Sequence, residues 1–215
     1  MRPLTTTVGP LTAASANNIA LSQTPTTAFT PNGAAVVNGV AVLDTPRRVL
    51  FTPVGNESAN FFTITGTGLN LTPQTEILAG ANATAFQSNL DFLTISSITL
   101  RTAAAGALTV GTNGVAASQW VRFDDFAPGL ISIQCTVTGT ANYTIQSTLQ
   151  NANDPVYPVL PYLITWVNTS DTAAVAASTS IQSNFQFSPT LARVILNSGS
   201  GSVSAIFLQS SNGPV

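Results

Sequence analysis

The chain has 215 residues with 6 arginines, 8 acidic residues, no lysine and no histidine, for a net charge of −2. Its charged fraction is 7%, against about 25% in an ordinary soluble domain, and the absence of histidine and lysine excludes Ser-His-Asp and Cys-His nucleophiles, histidine-ligated zinc and lysine Schiff bases. It also excludes a phosphate-tracking surface, which needs a basic footprint where this chain has an excess of acid. Apolar residues stand at an ordinary 44%, so Thr, Ser, Asn, Gln, Ala and Gly have replaced the missing charges and the surface is neutral and polar. Such a surface promotes association and suits a chain that faces other subunits within an assembly.

Residues 1–34, from MRPLTTTVGP to SQTPTTAFTPNG, contain four prolines and only the weak apolar spots Ile19, Leu21 and Phe29. They read as an extended N-terminal arm, either a disordered tail or a segment that orders against a neighbouring subunit. The N-terminus lacks the apolar core of a signal peptide, and no stretch approaches the roughly 20 apolar residues of a membrane span. The expectation is a soluble protein with no membrane partner, not exported by the usual signals.

From Ala35 to Val215 short runs rich in Val, Ile, Thr and Phe alternate with Gly, Asn, Pro and Ser clusters, the pattern of an all-β domain. Four segments read as consecutive hairpins: RRVLFTPVGNESANFFTITGT, ISSITLRTAAAGALTVGT, LISIQCTVTGTANYTIQSTL and ARVILNSGSGSVSAIFLQS. In the third, Ile131, Ile133, Cys135 and Val137 alternate with Ser132, Gln134, Thr136 and Thr138, which places one apolar face inward. The Ala-rich stretch 172–181 lacks charged partners and ends in β-branched residues, so a loop or one short helical turn is expected there. The fold predicted is an antiparallel β-sandwich or jelly roll. Trp120 and Trp166 are read as core or sheet-edge aromatics, with an exposed sugar-stacking platform as the alternative.

Cys135 reads as a buried small hydrophobe, since no histidine exists to activate it. The sequons at Asn56, Asn82, Asn142 and Asn168 follow from a composition rich in Asn, Ser and Thr. Glu57, Glu76, Asp91, Asp124, Asp125, Asp154 and Asp171 could supply a glycosidase dyad, but their turn-like contexts read as loop solvation, so no catalytic residue is assigned. The glycines of VGTNGVAAS and GSGSV lead into further strands, with no helix N-terminus to receive an anion. RFDDFAP, with Asp124 and Asp125, lacks the spaced acidic loop of a calcium site, and no metal or cofactor is expected.

The interface candidates are therefore Arg47, Arg48, Asp124, Asp125, Tyr157 and Tyr162. Arg47 and Arg48 are the only adjacent positive charges. Neighbours on a strand point to opposite faces, so the expectation is that one pairs with Asp124 or Asp125 while the other reaches a partner protein. The prolines of PVYPVLPY hold an extended segment that could display Tyr157 and Tyr162, or form an edge strand or inter-sheet connection.

The strings RRVLFTPVGNESANFFTITGTG, TEILAGANAT, FLTISSITLRTAAAGALTVGTNGVAASQWVRFD, VTGTANYTIQSTLQN and ARVILNSGSGSVSAIFLQ, spanning nearly all of residues 40–209, resemble in order and spacing a group of small β-rich structural proteins of tailed bacteriophages. The segment from Arg2 to Asn32 does not share the resemblance. It implies a virion structural protein, not an enzyme, most readily a head decoration or cement protein on the capsid exterior. The partners implied are the major capsid protein and copies of itself. A neck or tail component, or a receptor- or glycan-binding module using Trp120, Trp166, Tyr157 and Tyr162, is the alternative.

Overall fold

The computed structural model describes residues 3–124, 129–152 and 154–210. The chain divides into two compact units, one comprising Met1–Leu11 with Ala116–Val215 and the other Thr12–Val115. The division expected at residue 34 is therefore displaced, and the segment read as an arm is built into both units. β1 (Leu4–Val8) belongs to the first unit. The second holds β2 (Ser15–Gln23), β3 (Val36–Val37), β4 (Val40–Pro53), β5 (Phe61–Thr67), β6 (Pro73–Ala79), β7 (Phe86–Gln87) and β8 (Phe92–Leu100). β9 (Leu108–Ala117) gives its first eight residues to the second unit and Ala116 and Ala117 to the first. The first unit then continues with β10 (Val121–Arg122), β11 (Ile131–Thr138), β12 (Ala141–Thr148), β13 (Val167–Asn168), β14 (Ile181–Phe185), β15 (Leu191–Gly199) and β16 (Ser202–Gln209).

The protein is all-β and antiparallel, and the expected turn within 172–181 is a single 3-10 turn at Thr172–Ala174. Among the described residues no helix is long and apolar enough to cross a membrane. In the first unit a sheet of order β1-β16-β11-β14 faces a ladder in which β12 lies between β13 and β15. Ile131, Ile133 and Cys135 from β11 and Phe207 from β16 pack against Tyr143, Ile145, Val194 and Leu196 from the facing ladder. Fully burying such a side chain contributes about 2 kcal/mol. The outward-facing Ser132, Gln134 and Thr136 alternate with them as the sequence pattern required.

The second unit has the strand order β9-β4-β8-β5-β6, with β2 on β9 and both β3 and β7 on β4. Its separate core is built on Phe51, Phe62 and Phe86, where Phe51 and Phe86 stack at 4.9 Å. Ile19 and Ala20 of β2, together with Phe29, belong to that core. Prolines did not prevent this, because Pro10, Pro25 and Pro31 fall outside β1 and β2.

The four expected hairpins are not ladders. β8 lies between β4 and β5, and β4 lies between β8 and β9. β11 and β12 sit in opposite sheets, as do β15 and β16. A period of two reveals which face of a strand is buried but not which strand lies beside it. The Gly-containing links at 139–140 and 199–201 turn across the sandwich, and they rest on each other: the Gly201 N–H donates to the Thr140 carbonyl at 2.7 Å. A Cβ on Gly201 would fall 2.3 Å from the Thr138 carbonyl oxygen, so this close approach requires glycine. Among the described residues the consecutive strands that do pair are β3–β4, β5–β6 and, across the long connection after Thr148, β12–β13. The first turns on Asn38 and Gly39, both at positive φ (52° and 80°), the pairing that the right-handed strand twist favours in a two-residue turn.

Two outcomes follow from these cores. Cys135 is 1% exposed, and burial raises its thiol to about 11, so native protein at pH 8 should resist iodoacetamide over hours and label fully in urea; rapid native labelling would show that the core of the first unit opens. Deleting residues 2–32 strips β1 and β2 and removes Val8, Ile19, Ala20 and Phe29 from the two cores. The truncated chain should lose cooperative thermal unfolding, and an unchanged melting curve would contradict the placement of these strands.

Candidate functional site

Arg47 and Arg48 do point to opposite faces of β4. Residues 41, 43, 47, 49 and 51 are buried, and Arg47 takes one of these inward positions with 1% exposure. The cost of burying a guanidinium is offset only by close partners, and three are present. Nη1 donates to the Thr12 carbonyl at 3.0 Å and to Asp44 Oδ1 at 3.2 Å, and Nη2 donates to the Asn113 carbonyl at 2.6 Å. The Asp44 carboxylate in turn accepts the Thr12 N–H at 2.8 Å. Burial alone would raise the Asp44 carboxyl, but the Thr12 N–H and the Arg47 charge outweigh it and hold the group below the usual carboxylate range. Arg48 lies 2.9 Å from Asp91 through Nε. Its Nε–H is off the hydrogen-bond line, so that contact is a charge pair, and Nη1 supplies the directed bond to the Ser88 carbonyl at 3.0 Å.

The expected pairing with Asp124 or Asp125 is thus corrected: the carboxylates beside the arginines are Asp44 and Asp91, and neither guanidinium is displayed for a partner. Asp44 was not among the residues singled out in the sequence, although its place three residues before Arg47 was the available signal. Asp124 is exposed, and its backbone exchanges two hydrogen bonds with the Gln209 side chain at 2.9 and 3.0 Å. Asp125 lies outside the described residues.

The other carboxylates do more than solvate turns. Glu57 is 1% exposed and accepts the Ala105 N–H at 2.7 Å and the Asn60 amide at 3.1 Å. Glu76 accepts the N–H groups of Asn89 and Leu90. Asp171 accepts the Ser183 hydroxyl and the Ala173 N–H, and these bonds hold its carboxyl low. Asp154 does the same with Tyr157 and Val156 N–H groups. Loop amides that no strand satisfies are bonded by carboxylates, which turns the few negative charges toward the backbone. Among the described residues no group of three or more Cys, Asp or Glu side chains could hold a metal ion.

The connection from β12 to β13 presents the opposite character. It is closed at its base, where the Thr165 N–H donates to Gln150 Oε1 at 2.6 Å and the Val159 N–H to the Asn151 carbonyl at 3.1 Å. Between these ties it exposes Val156 and Tyr157, the latter at 83%, together with Leu160 and Leu163; Leu149 and Val167 flank them. Tyr162 is half-buried. The stretch PVYPVLPY is not the extended segment expected: it bends at 155–157, where Asp154 accepts the Val156 and Tyr157 N–H groups, and forms a 3-10 turn at Pro161–Leu163, leaving Tyr157 exposed and Tyr162 only partly so. Trp166, also on this connection, meets Trp120 at 5.4 Å and carries the Arg193 guanidinium 4.5 Å above its ring. Arg193 Nε donates to Gln146 at 3.0 Å. The indoles are half-buried, and Trp166 gives a face to Arg193, so the pair packs the loop onto the sheet instead of forming an open stacking platform.

No family model matches the chain, and no curated protein or solved structure matches it.

The buried node gives two measurable consequences. Arg47→Met leaves Asp44 and two carbonyls without their cation and should cost about 3–5 kcal/mol in urea unfolding, whereas Arg48→Met, at a half-buried site, should cost clearly less; equal losses would contradict the asymmetry. Because the Asp44 carboxyl is lowered in the folded state, its stabilisation is full above its unfolded value of about 4 and disappears as pH falls through the folded value. Asp44→Asn should therefore lower stability at neutral pH and flatten the acid limb of a melting-temperature profile between roughly pH 5 and 2, while an acid limb unchanged from the wild type would contradict the assignment.

Proposed function

We propose that this protein is a structural component of a bacteriophage virion, a decoration or cement protein that binds the outside of the head and bridges capsid subunits. The observation that carries the reading is the loop between Leu149 and Val167. It presents several large apolar side chains around Tyr157 on a chain with few charges, and the nearby Asp154 is bonded to the loop's own backbone N–H groups. Exposed apolar patches of more than a few hundred Å² are uncommon on monomers and mark protein contacts. An exposed tyrosine among aliphatics is the composition of an interface centre, where aromatics are enriched and charges depleted. The resemblance of residues 40–209 to phage structural proteins supplies the setting. The major capsid protein and further copies of this chain are the partners that a neutral, apolar face would fit. Such a protein strengthens the shell by linkage, because it binds the assembled lattice and not the separated subunits.

Purified protein mixed with preassembled capsids should saturate at a fixed ratio to the capsid subunit and raise the temperature at which the shells open. A Tyr157→Asp, Leu160→Asp variant should keep its melting temperature and lose attachment by at least about tenfold, in the range of interface hot spots. Attachment only to tails, or attachment unaffected by the double substitution, would sink the reading.

A further inference from the structure

The outer face of the sheet β1-β16-β11-β14 carries a groove of about 800 Å³ that the capsid-binding reading does not use. The strand register builds its floor. Gln182, Gln134 and Ile206 form one row across β14, β11 and β16, and Asn184, Ser132 and Leu208 form the next. One side of the groove is thus lined by three primary amides and a hydroxyl, and the other by two aliphatic side chains. Asp171 and Pro3 lie at its margin.

Of the amide side chains outside the groove, Gln23, Asn60, Gln74, Asn142, Gln146 and Gln150 each bond a neighbouring group. Gln134, Gln182, Asn184 and Ser132 make no such bond among the described residues, so their donors and acceptors all face the groove or water. Among the described residues no cation lines the groove, and Asp171 is negative, which disfavours phosphates, sulfates and acidic ligands. The lining is too polar for a lipid or an apolar helix. Its volume falls in the range of ligand sites, about 300–1,000 Å³.

We propose that this groove is a binding site for a neutral carbohydrate. Each primary amide offers two donors and an acceptor, the complement of the vicinal hydroxyls along the edge of a pyranose ring. Ile206 and Leu208 lie where the C–H face of the same ring would settle, and Asp171 is placed to accept one further hydroxyl at the rim. The groove has room for a short oligosaccharide. With no aromatic floor and an open mouth, a single site binds weakly, with Kd on the order of 1 mM. Many copies on one particle would convert that into firm attachment to a polysaccharide surface through multivalency. Only this last step rests on the virion reading, since the site itself is a property of the isolated chain.

The test is an NMR titration of the 15N-labelled free protein with neutral tetrasaccharides of glucose, galactose and mannose, and with tetragalacturonate as the acidic comparison. The expected result is that at least one neutral sugar shifts the side-chain amide resonances of Gln134, Gln182 and Asn184 in a saturable way, while the acidic sugar does not. In a Gln134→Ala, Gln182→Ala variant affinity should fall at least about tenfold, the loss expected for two removed hydrogen-bonding groups. Both side chains point away from the core, so the variant should melt with the wild type, which separates loss of binding from loss of fold. No shift with any neutral sugar at tenfold the expected Kd, about 10 mM, shifts confined to Trp120 and Trp166, or binding unchanged in the double variant would each overturn the proposal. Because capsids are absent from the experiment, its failure leaves the capsid-binding reading standing, and the reverse also holds.

Discussion

The guanidinium of Arg47 is the contact on which the Thr12–Val115 unit depends. The chain enters this unit at Thr12 and leaves it at Val115, and Arg47 bonds the carbonyls of Thr12 and of Asn113, two residues before the exit. A buried cation is an expensive choice, worth several kcal/mol of lost hydration. It is tolerable here because Asp44 stands three residues away on the same strand and two carbonyls converge on it. Among the described residues the Nε–H has no hydrogen-bond partner, so the guanidinium is not fully satisfied. What it provides is specificity: an apolar side chain at position 47 would leave the entry and exit segments of the unit without a common anchor.

The same economy explains the surface. Six arginines and eight acids are too few to solvate a protein of this size, and the structure does not use most of them for solvation. Arg47 and Arg48 are turned to backbone carbonyls and nearby carboxylates, while Glu57, Glu76, Asp154 and Asp171 hold loop N–H groups. Hydroxyls and amides are left to face water, and apolar side chains are left exposed on the loop after β12. A neutral exterior of this kind lacks the like-charge repulsion that keeps ordinary proteins apart, which fits a chain that works beside many copies of itself and of another protein.

The fold class was legible in the sequence because β-branched residues, small-residue turns and the period of two all report on local backbone geometry. Strand neighbours were not legible. In TVTGTANY the glycine signals a reversal, but whether the chain returns beside β11 or crosses to the facing sheet is decided by packing: Gly139 and Gly201 meet at the two corners. The Asn38-Gly39 hairpin is legible from its dipeptide, although the flanking strand β3 is only two residues long. In the N-terminal segment proline density masks the short runs LTTTV, whose burial alternates, and SANNIALSQ, where the adjacent Ile19 and Ala20 are both buried; Val8 and Ile19 lie in separate cores. At the sites, the display of Tyr157 could be read from PVYPVLPY, although a bend and not an extended segment produces it. The pairing of Arg47 with Asp44 had only their three-residue spacing as a signal, and the amide groove needed the register of three strands that are far apart in sequence.

Carboxylates bonded to backbone N–H groups fix the loops, an apolar loop lies exposed after β12, and a polar sheet face is left open. The most direct test of the central claim is a density map of the virion at a resolution that distinguishes β-sheets. The account predicts density for this chain on the outer surface of the head, seated between neighbouring capsid subunits with the 149–167 loop against them. Density confined to the neck, tail or fibres, or a head surface occupied with that loop facing solvent, would contradict it.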